Sequence, residues 1–151
     1  MQLNLTPVER KLLRQHKIKK SEISDYAVDE LEAMLEVSPQ RARELYALCD
    51  FQRIPSIGIR FAADLIFLGY YSIAELSKEE GADLTDRYEL GKGFRTDPCV
   101  EDQFRLAIYT AKTNDYTKNW WDFTEERKAY RAEYGYPKNR PKVSWYEIER
   151  N

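Results

Sequence analysis

Residues 54–60, Ile-Pro-Ser-Ile-Gly-Ile-Arg, place a tight apolar turn between two stretches that both read as helix. Two helices joined so briefly can pack only if the connection bends sharply without exposing backbone. Gly58 is expected to supply a conformation that side chains resist. Pro55 stiffens the entry, and Ile54 and Ile57 plug the gap between the helices. The next helix then starts near Ile59 with amide hydrogens that have no intrahelical acceptor. Such amides form an anion site. Arg60 stands in that first turn, beside the place a phosphate would take, and Arg53 lies just ahead of it. The chemistry is capture of a phosphate by main-chain nitrogen and a few cations.

Phosphate binding weakens with salt by about 0.9 log units per neutralised contact for each log unit of salt. Arg53 and Arg60 supply about two contacts, so useful affinity needs more cations. The net charge of −2, from 24 Lys and Arg against 26 Asp and Glu, does not mark the whole chain as a nucleic-acid binder. The distribution says more. Arg10, Lys11, Arg14, Lys17, Lys19 and Lys20 form a basic run, and the stretches 22–50 and 75–102 are acidic. Residues 136–142, Tyr-Pro-Lys-Asn-Arg-Pro-Lys, are basic again. Lys19 and Lys20 are the expected partners of the turn, although such a run also suits a solvated helix face.

Other chemistry is poorly served. Two cysteines, Cys49 and Cys99, make no disulfide framework, and with the single histidine, His16, they make no ordinary zinc site. Cys49 falls on an apolar helical stripe and reads as a small core residue. Cys99 sits near a helix start, where a thiolate is stabilised, but no base stands near it in sequence. Asp97 reads as a helix cap, and Glu101 and Asp102 suit the positive end of that helix. Leu-Gly-Lys-Gly at 90–93 lacks the spacing of a phosphate loop. No acid/base, nucleophile or metal set is assembled, so neither an enzyme nor a cofactor is expected.

Trp120-Trp121-Asp122-Phe123 suits either a platform for bases or an aromatic clasp on a small core. Tyr130, Tyr134, Tyr136, Trp145 and Tyr146 alternate with Arg131, Lys138, Arg140 and Lys142. That pattern suits nucleic acid, and it also suits an arm that wraps its own domain or a neighbouring chain. Pro137 and Pro141 argue for an extended arm, and packing is the expected role.

The elements that must position the turn are helical. Thr6-Pro7-Val8-Glu9 is a capping box with proline in the first helical position. A second helix is expected over about 22–36. Ser38-Pro39 opens a third, with Ala42, Leu45, Tyr46 and Cys49 on one stripe. After the turn, Ala62, Leu65 and Ile66 share a face, and Gly69 suits a left-handed cap. Ser72 and Ser77 each open a capping box, implying short helices. Residues 90–96 read as a loop. Asp97-Pro98 starts a long helix with Val100, Phe104, Ala107, Ile108 and Ala111 on one side, and a last helix runs over 125–134 to Gly135. At an offset of 53, Leu12, Leu13, Ile18, Ile23 and Leu31 align with Leu65, Ile66, Tyr71, Leu76 and Leu84. Either chance or a degenerate tandem repeat explains this. In a repeat, the first half would begin without its own glycine turn.

The stretch 54–76 resembles a helix-hairpin-helix motif, whose usual form is Leu-Pro-Gly-Ile-Gly-Pro-Lys-Thr-Ala. Ile54, Pro55, Ile57, Gly58 and Ala62 match, and Arg60 stands where Lys is usual. Ser56 replaces the usual Gly, and Ile59 the usual Pro. With Asp-Pro-Cys-Val-Glu-Asp-Gln-Phe-Arg-Leu-Ala-Ile-Tyr-Thr-Ala at 97–111 and Lys-Asn-Trp-Trp-Asp-Phe at 118–123, residues 51–123 resemble the bacterial pathogenicity-locus family of helix-hairpin-helix proteins. Some members of that family carry the label mitomycin resistance protein. The resemblance implies a small helical fold without an established enzymatic activity. It also implies duplex phosphates held, without base readout, by the backbone at Ile57, Gly58 and Arg60.

The expected architecture is all-α: a helix-hairpin-helix domain over 1–123, with the hairpin at 51–69 and a degenerate first half at 1–50, followed by a C-terminal helix and arm over 124–151. The expected nucleic-acid-binding residues are Arg53, Ser56, Ile57, Gly58, Arg60, Lys19 and Lys20, acting on duplex DNA of any sequence. A module that docks a protein partner, with the hairpin as a structural corner, is the alternative. No apolar run reaches the ~20 residues that span a bilayer, so no membrane role is expected. The opening residues lack the basic-then-apolar pattern of a signal peptide, so a cytoplasmic location is expected.

Overall fold

The computed structural model describes residues 1–148; residues 149–151 of the expected arm lie outside the described residues. The chain is a small all-α bundle whose helices fall into two compact units, Met1–Glu75 and Leu76–Asn151. Among the described residues no helix is long and apolar enough to cross a membrane.

The first unit holds α1 (Pro7–Gln15), a 3-10 turn (Lys20–Asp25), α2 (Val28–Leu35), α3 (Pro39–Phe51) and α4 (Ile59–Phe67). The capping box forms at α1: Thr6 Oγ1 accepts from the Glu9 amide at 3.1 Å, and the Thr6 amide donates to Glu9 Oε1 at 2.9 Å. The expected helix over 22–36 is instead broken at Tyr26-Ala27. Ala27 is extended, and its amide donates to Glu30 Oε1 at 3.0 Å, so that Glu30 starts a fresh helix. Ser38 caps α3 through Oγ, and Pro39 takes its first position. α3 is the central helix, burying Ala42, Leu45, Ala47, Leu48, Cys49, Asp50 and Phe51. Leu13, Ile23, Leu31, Leu35, Phe61 and Leu65 complete this core. Each such side chain contributes roughly 1.5–3 kcal/mol on leaving water.

The second unit holds α5 (Gly81–Lys92), α6 (Pro98–Thr113), a 3-10 turn (Trp120–Phe123), α7 (Thr124–Tyr134) and a last 3-10 turn (Trp145–Glu147). α5 starts from Glu80 rather than from Ser77, and it runs to Lys92, so the loop expected at 90–96 is shorter. α5 and α6 approach closely at Gly81, where a Cβ would collide with the Arg105 side chain. Asp97 caps α6, and Gly135 ends α7. After α6, Asp115 accepts from the Thr117 amide and hydroxyl and from the Tyr109 phenol. These donors, the Thr117 hydroxyl foremost, hold its carboxyl down to about 2. A depressed carboxyl stabilises the fold above its unfolded value and loses that effect as pH falls through the folded one. We expect the break at 114–119 to loosen between about pH 4 and pH 2, with an NMR titration of Asp115 centred near the lower limit. A midpoint at the ordinary Asp value would refute this.

The order helix, 3-10 turn, helix, helix occurs twice, as α1 to α3 and, with a 3-10 turn at Ile73–Leu76, as α4 to α6. α1 and α4 have nine residues each and end alike. Lys17 (φ 57°) and Gly69 (φ 98°) are left-handed. Ile18 donates to the Leu13 carbonyl as Tyr70 donates to that of Leu65. The two helix ends therefore match at an offset of 52, Leu13 with Leu65. One extra residue near Tyr70-Tyr71 then makes it 53, so that Ile23 matches Leu76 and Leu31 matches Leu84, all four fully buried. The uniform offset of 53 expected from sequence holds only after that insertion.

Candidate nucleic-acid interface

The turn between α3 and α4 is built by successive short bonds. The Ile54 amide donates to the Phe51 carbonyl and the Ile57 amide to that of Ile54, each at 3.2 Å. Ile54 and Ile57 are buried at 1% and 7% exposure, as the plug requires. Ser56, Gly58 and Arg60 are exposed. At this end of α4 the Ala62 amide donates to the Gly58 carbonyl, and the amides of Ile59 and Arg60 at the helix start have no acceptor within the helix. Gly58 brings no side chain to cap them.

The conformational roles of the two small residues are exchanged relative to the expectation. Ser56 is the left-handed residue, at φ 64°. Gly58 has φ −103° and ψ −175°, extended backbone that any residue adopts. Gly58 therefore contributes access rather than unusual geometry: a Cβ built there meets nothing within 4 Å. The left-handed bend falls on Ser56 because Ile57 must turn back into the core two residues after the proline. Its hydroxyl donates to the Pro55 carbonyl at 2.5 Å.

The cations divide. Arg60 has no ion-pair partner among the described residues. Arg53 is held by Asp50, Nη1 to Oδ1 at 2.9 Å. Asp50 is itself buried, and its other oxygen accepts from the Ile73 amide at 2.8 Å. Arg53 thus fastens the turn to the chain after α4 and offers less charge to a ligand. Asp50 was not singled out from sequence, although an acid three residues before an arginine at a helix end is a readable sign. Lys19 and Lys20 are both exposed at the 3-10 turn after α1. The Lys20 carbonyl accepts from Cys49 Sγ at 3.3 Å, which fixes that turn against the last turn of α3. The structure thus brings Lys20 to the end of α3 from which the Gly58 turn departs.

The remaining candidates are occupied elsewhere. Cys49 is buried, its Sγ 3.3 Å from both the Lys20 carbonyl and the Ser24 hydroxyl, as suits a core cysteine. Cys99 differs from expectation. Burial, followed by its bond to Asp97, pushes its thiol up rather than down, so the helix start does not activate it. His16 is an exposed cap of α1. Among the described residues no group of three or more His, Cys, Asp or Glu side chains could hold a metal ion.

Phe123 packs on Tyr109, with ring centroids 5.3 Å apart, while Trp121 is 55% exposed. Arg127 and Arg131 of α7 and Arg140 of the arm serve their own unit. Arg127 binds Asp102 at 2.7 Å. Arg131 binds Glu101 and Asp86 at 2.8 and 2.9 Å. Arg140 binds Glu89 at 2.8 Å. Glu89, Glu101 and Asp102 are no more than 2% exposed. The arm also pairs with the loop before α6. The Arg95 amide donates to the Val143 carbonyl and the Trp145 amide to the Arg95 carbonyl, each at 2.7 Å.

The model of the Cdd1 family, described as pathogenicity locus, matches residues 44–129. No curated protein and no solved structure matches the chain significantly. The matched stretch runs from within α3 through the exposed turn, α4, α5 and α6 into α7, over half of the whole, and so the chain belongs to the pathogenicity-locus family.

Proposed function

We propose that the protein is a non-enzymatic module that binds duplex DNA without regard to sequence, α3 and α4 forming a helix-hairpin-helix unit. Main-chain amides at Gly58, Ile59 and Arg60 hold a backbone phosphate, Ile59 replacing the expected Ile57, whose amide is bonded to the Ile54 carbonyl, and the side chains of Arg60, Lys19 and Lys20 add charge. The observation that carries this reading is the two-sided character of the turn. Ile54 and Ile57 are buried, while Ser56, Gly58 and Arg60 face solvent and the space over Gly58 is open. A turn kept only as a corner has no need of that open side. Arg53 adds little, because Asp50 already neutralises it.

Three phosphate contacts give a log–log salt slope of about −2.7, or roughly a fortyfold loss of affinity between 50 and 200 mM salt. Fluorescence anisotropy with two unrelated duplexes should show equal affinities and that slope. Salt-independent binding, or none, would leave the turn as a corner and favour a protein-docking module. Gly58→Asp is the sharper probe. Its backbone already suits a cap, so the new carboxylate should cover the amides and stabilise α4 by about 0.5 kcal/mol. Duplex affinity should fall at least tenfold. A variant that is more stable and still binds fully would rule the amides out.

A further inference from the structure

The first repeat has a turn of its own, built, as expected, without a glycine. Asn4 at φ 50° stands 52 residues before Ser56 at φ 64°. In the same register Leu5 at 8% exposure matches Ile57 at 7%. Thr6 matches Gly58 as the extended residue before the helix, and Pro7 matches Ile59 as the first helical residue. A left-handed residue, a buried aliphatic, an extended cap and a nine-residue helix thus recur in one order. Asn accepts the left-handed bend more readily than most side chains, so this turn needs no glycine.

The two copies differ at the cap and three residues beyond it. In the second, Gly58 and Phe61 contribute no polar side chain. In the first, Thr6 and Glu9 do. The Thr6 amide, counterpart of that of Gly58, donates to Glu9 Oε1 at 2.9 Å. Glu9 is 4% exposed, and Arg41 grips both of its oxygens, Nε to Oε2 and Nη2 to Oε1, each at 2.9 Å. Arg41 Nη2 also donates to the Asn4 carbonyl, which ties the same guanidinium to the turn. The bond to Arg41 is the chief reason the Glu9 carboxyl titrates below its ordinary range.

We propose that residues 3–9 are a self-liganded copy of the hairpin turn: the Glu9 carboxylate is its resident anion, Arg41 its resident cation, and the copy is closed to external phosphate. Duplex contact is thereby left to the Gly58 turn, a consequence that rests on the function proposed above. The closure itself does not. The chain carries one turn that supplies its own anion and one that leaves the place open.

Chemical rescue tests the closure. Glu9→Ala leaves Arg41 and the Thr6 amide facing a space the size of a small carboxylate. Its thermal midpoint should fall by several degrees in chloride and regain at least half of that loss in formate at equal ionic strength. Wild type and Glu9→Gln, whose side chains fill the space, should respond to neither anion specifically. Equal midpoints of Glu9→Ala in formate and chloride would overturn the proposal. The wild-type chain gives a second reading that does not depend on the variant folding. In an NMR titration with inorganic phosphate, the amides of Thr6, Val8 and Glu9 should stay in place, and saturable shifts there would overturn the closure. Still amides at Gly58, Ile59 and Arg60 in the same titration would instead count against the DNA-binding reading alone.

Discussion

Arg60→Glu combined with Lys19→Glu and Lys20→Glu is expected to abolish duplex binding. All three side chains are exposed, and Lys20 is fixed by its carbonyl to the last turn of α3. Each cation that neutralises a phosphate contributes about 0.9 to the salt slope, and reversing its sign adds repulsion. Losing about tenfold per contact, the triple variant should bind roughly a thousandfold more weakly than wild type. Its stability should change by no more than about 0.5 kcal/mol, because exposed charges without buried partners contribute little to folding. Anisotropy titration beside a thermal melt checks both halves. Unchanged affinity in a folded triple variant would sink the phosphate-binding reading. Arg131 and Arg140 are a poor substitute for these three, since both are already bound to buried carboxylates.

Arg127→Met should destabilise the second unit by about 3–5 kcal/mol. Asp102 has no exposure at all, and its partners are Arg127 Nε at 2.7 Å and the Thr124 hydroxyl at 2.8 Å. Removing the guanidinium leaves a buried carboxylate with one neutral donor, which costs far more than the intact pair contributes. For a unit of this size the melting midpoint should fall by more than 10 °C, at about 4–8 °C per kcal/mol. Adding Asp102→Leu to Arg127→Met should recover most of the loss, because an apolar pair needs no compensation for lost water. Circular dichroism melts of the single and double variants decide the matter. A loss below about 1 kcal/mol in the single variant would mean that water or another cation reaches Asp102.

Glu101 and Asp102 show where reading the sequence reaches its limit. Their place in the first turn of α6 accounts for them as acids at a helix's positive end. Asp102 meets Arg127 25 residues later, and Glu101, besides Arg105 one turn on, meets Arg131 30 residues later, both on α7. No local pattern links them, because the pairing depends on which face of α7 meets α6. Glu9 and Arg41 are a similar case: the capping box was legible at positions 6 and 9, and the arginine 32 residues on was not. The exchange of roles between Ser56 and Gly58 is a different failure. Composition puts the unusual backbone at the glycine, but burial of Ile57 puts it at the serine.

By itself the sequence determined the all-α class, the capped starts of α1, α3 and α6, the left-handed end at Gly69, and the apolar plug at Ile54 and Ile57. Each is a local matter, settled within a turn or two by backbone sterics, unmet amides and helical periodicity. Only the tertiary structure decided which charges are spent and which stay open. Arg53, Arg131 and Arg140 are matched by carboxylates, while Arg60, Lys19 and Lys20 face solvent. Charge pairing depends on distance in space, and residues far apart along the chain meet only when helices pack.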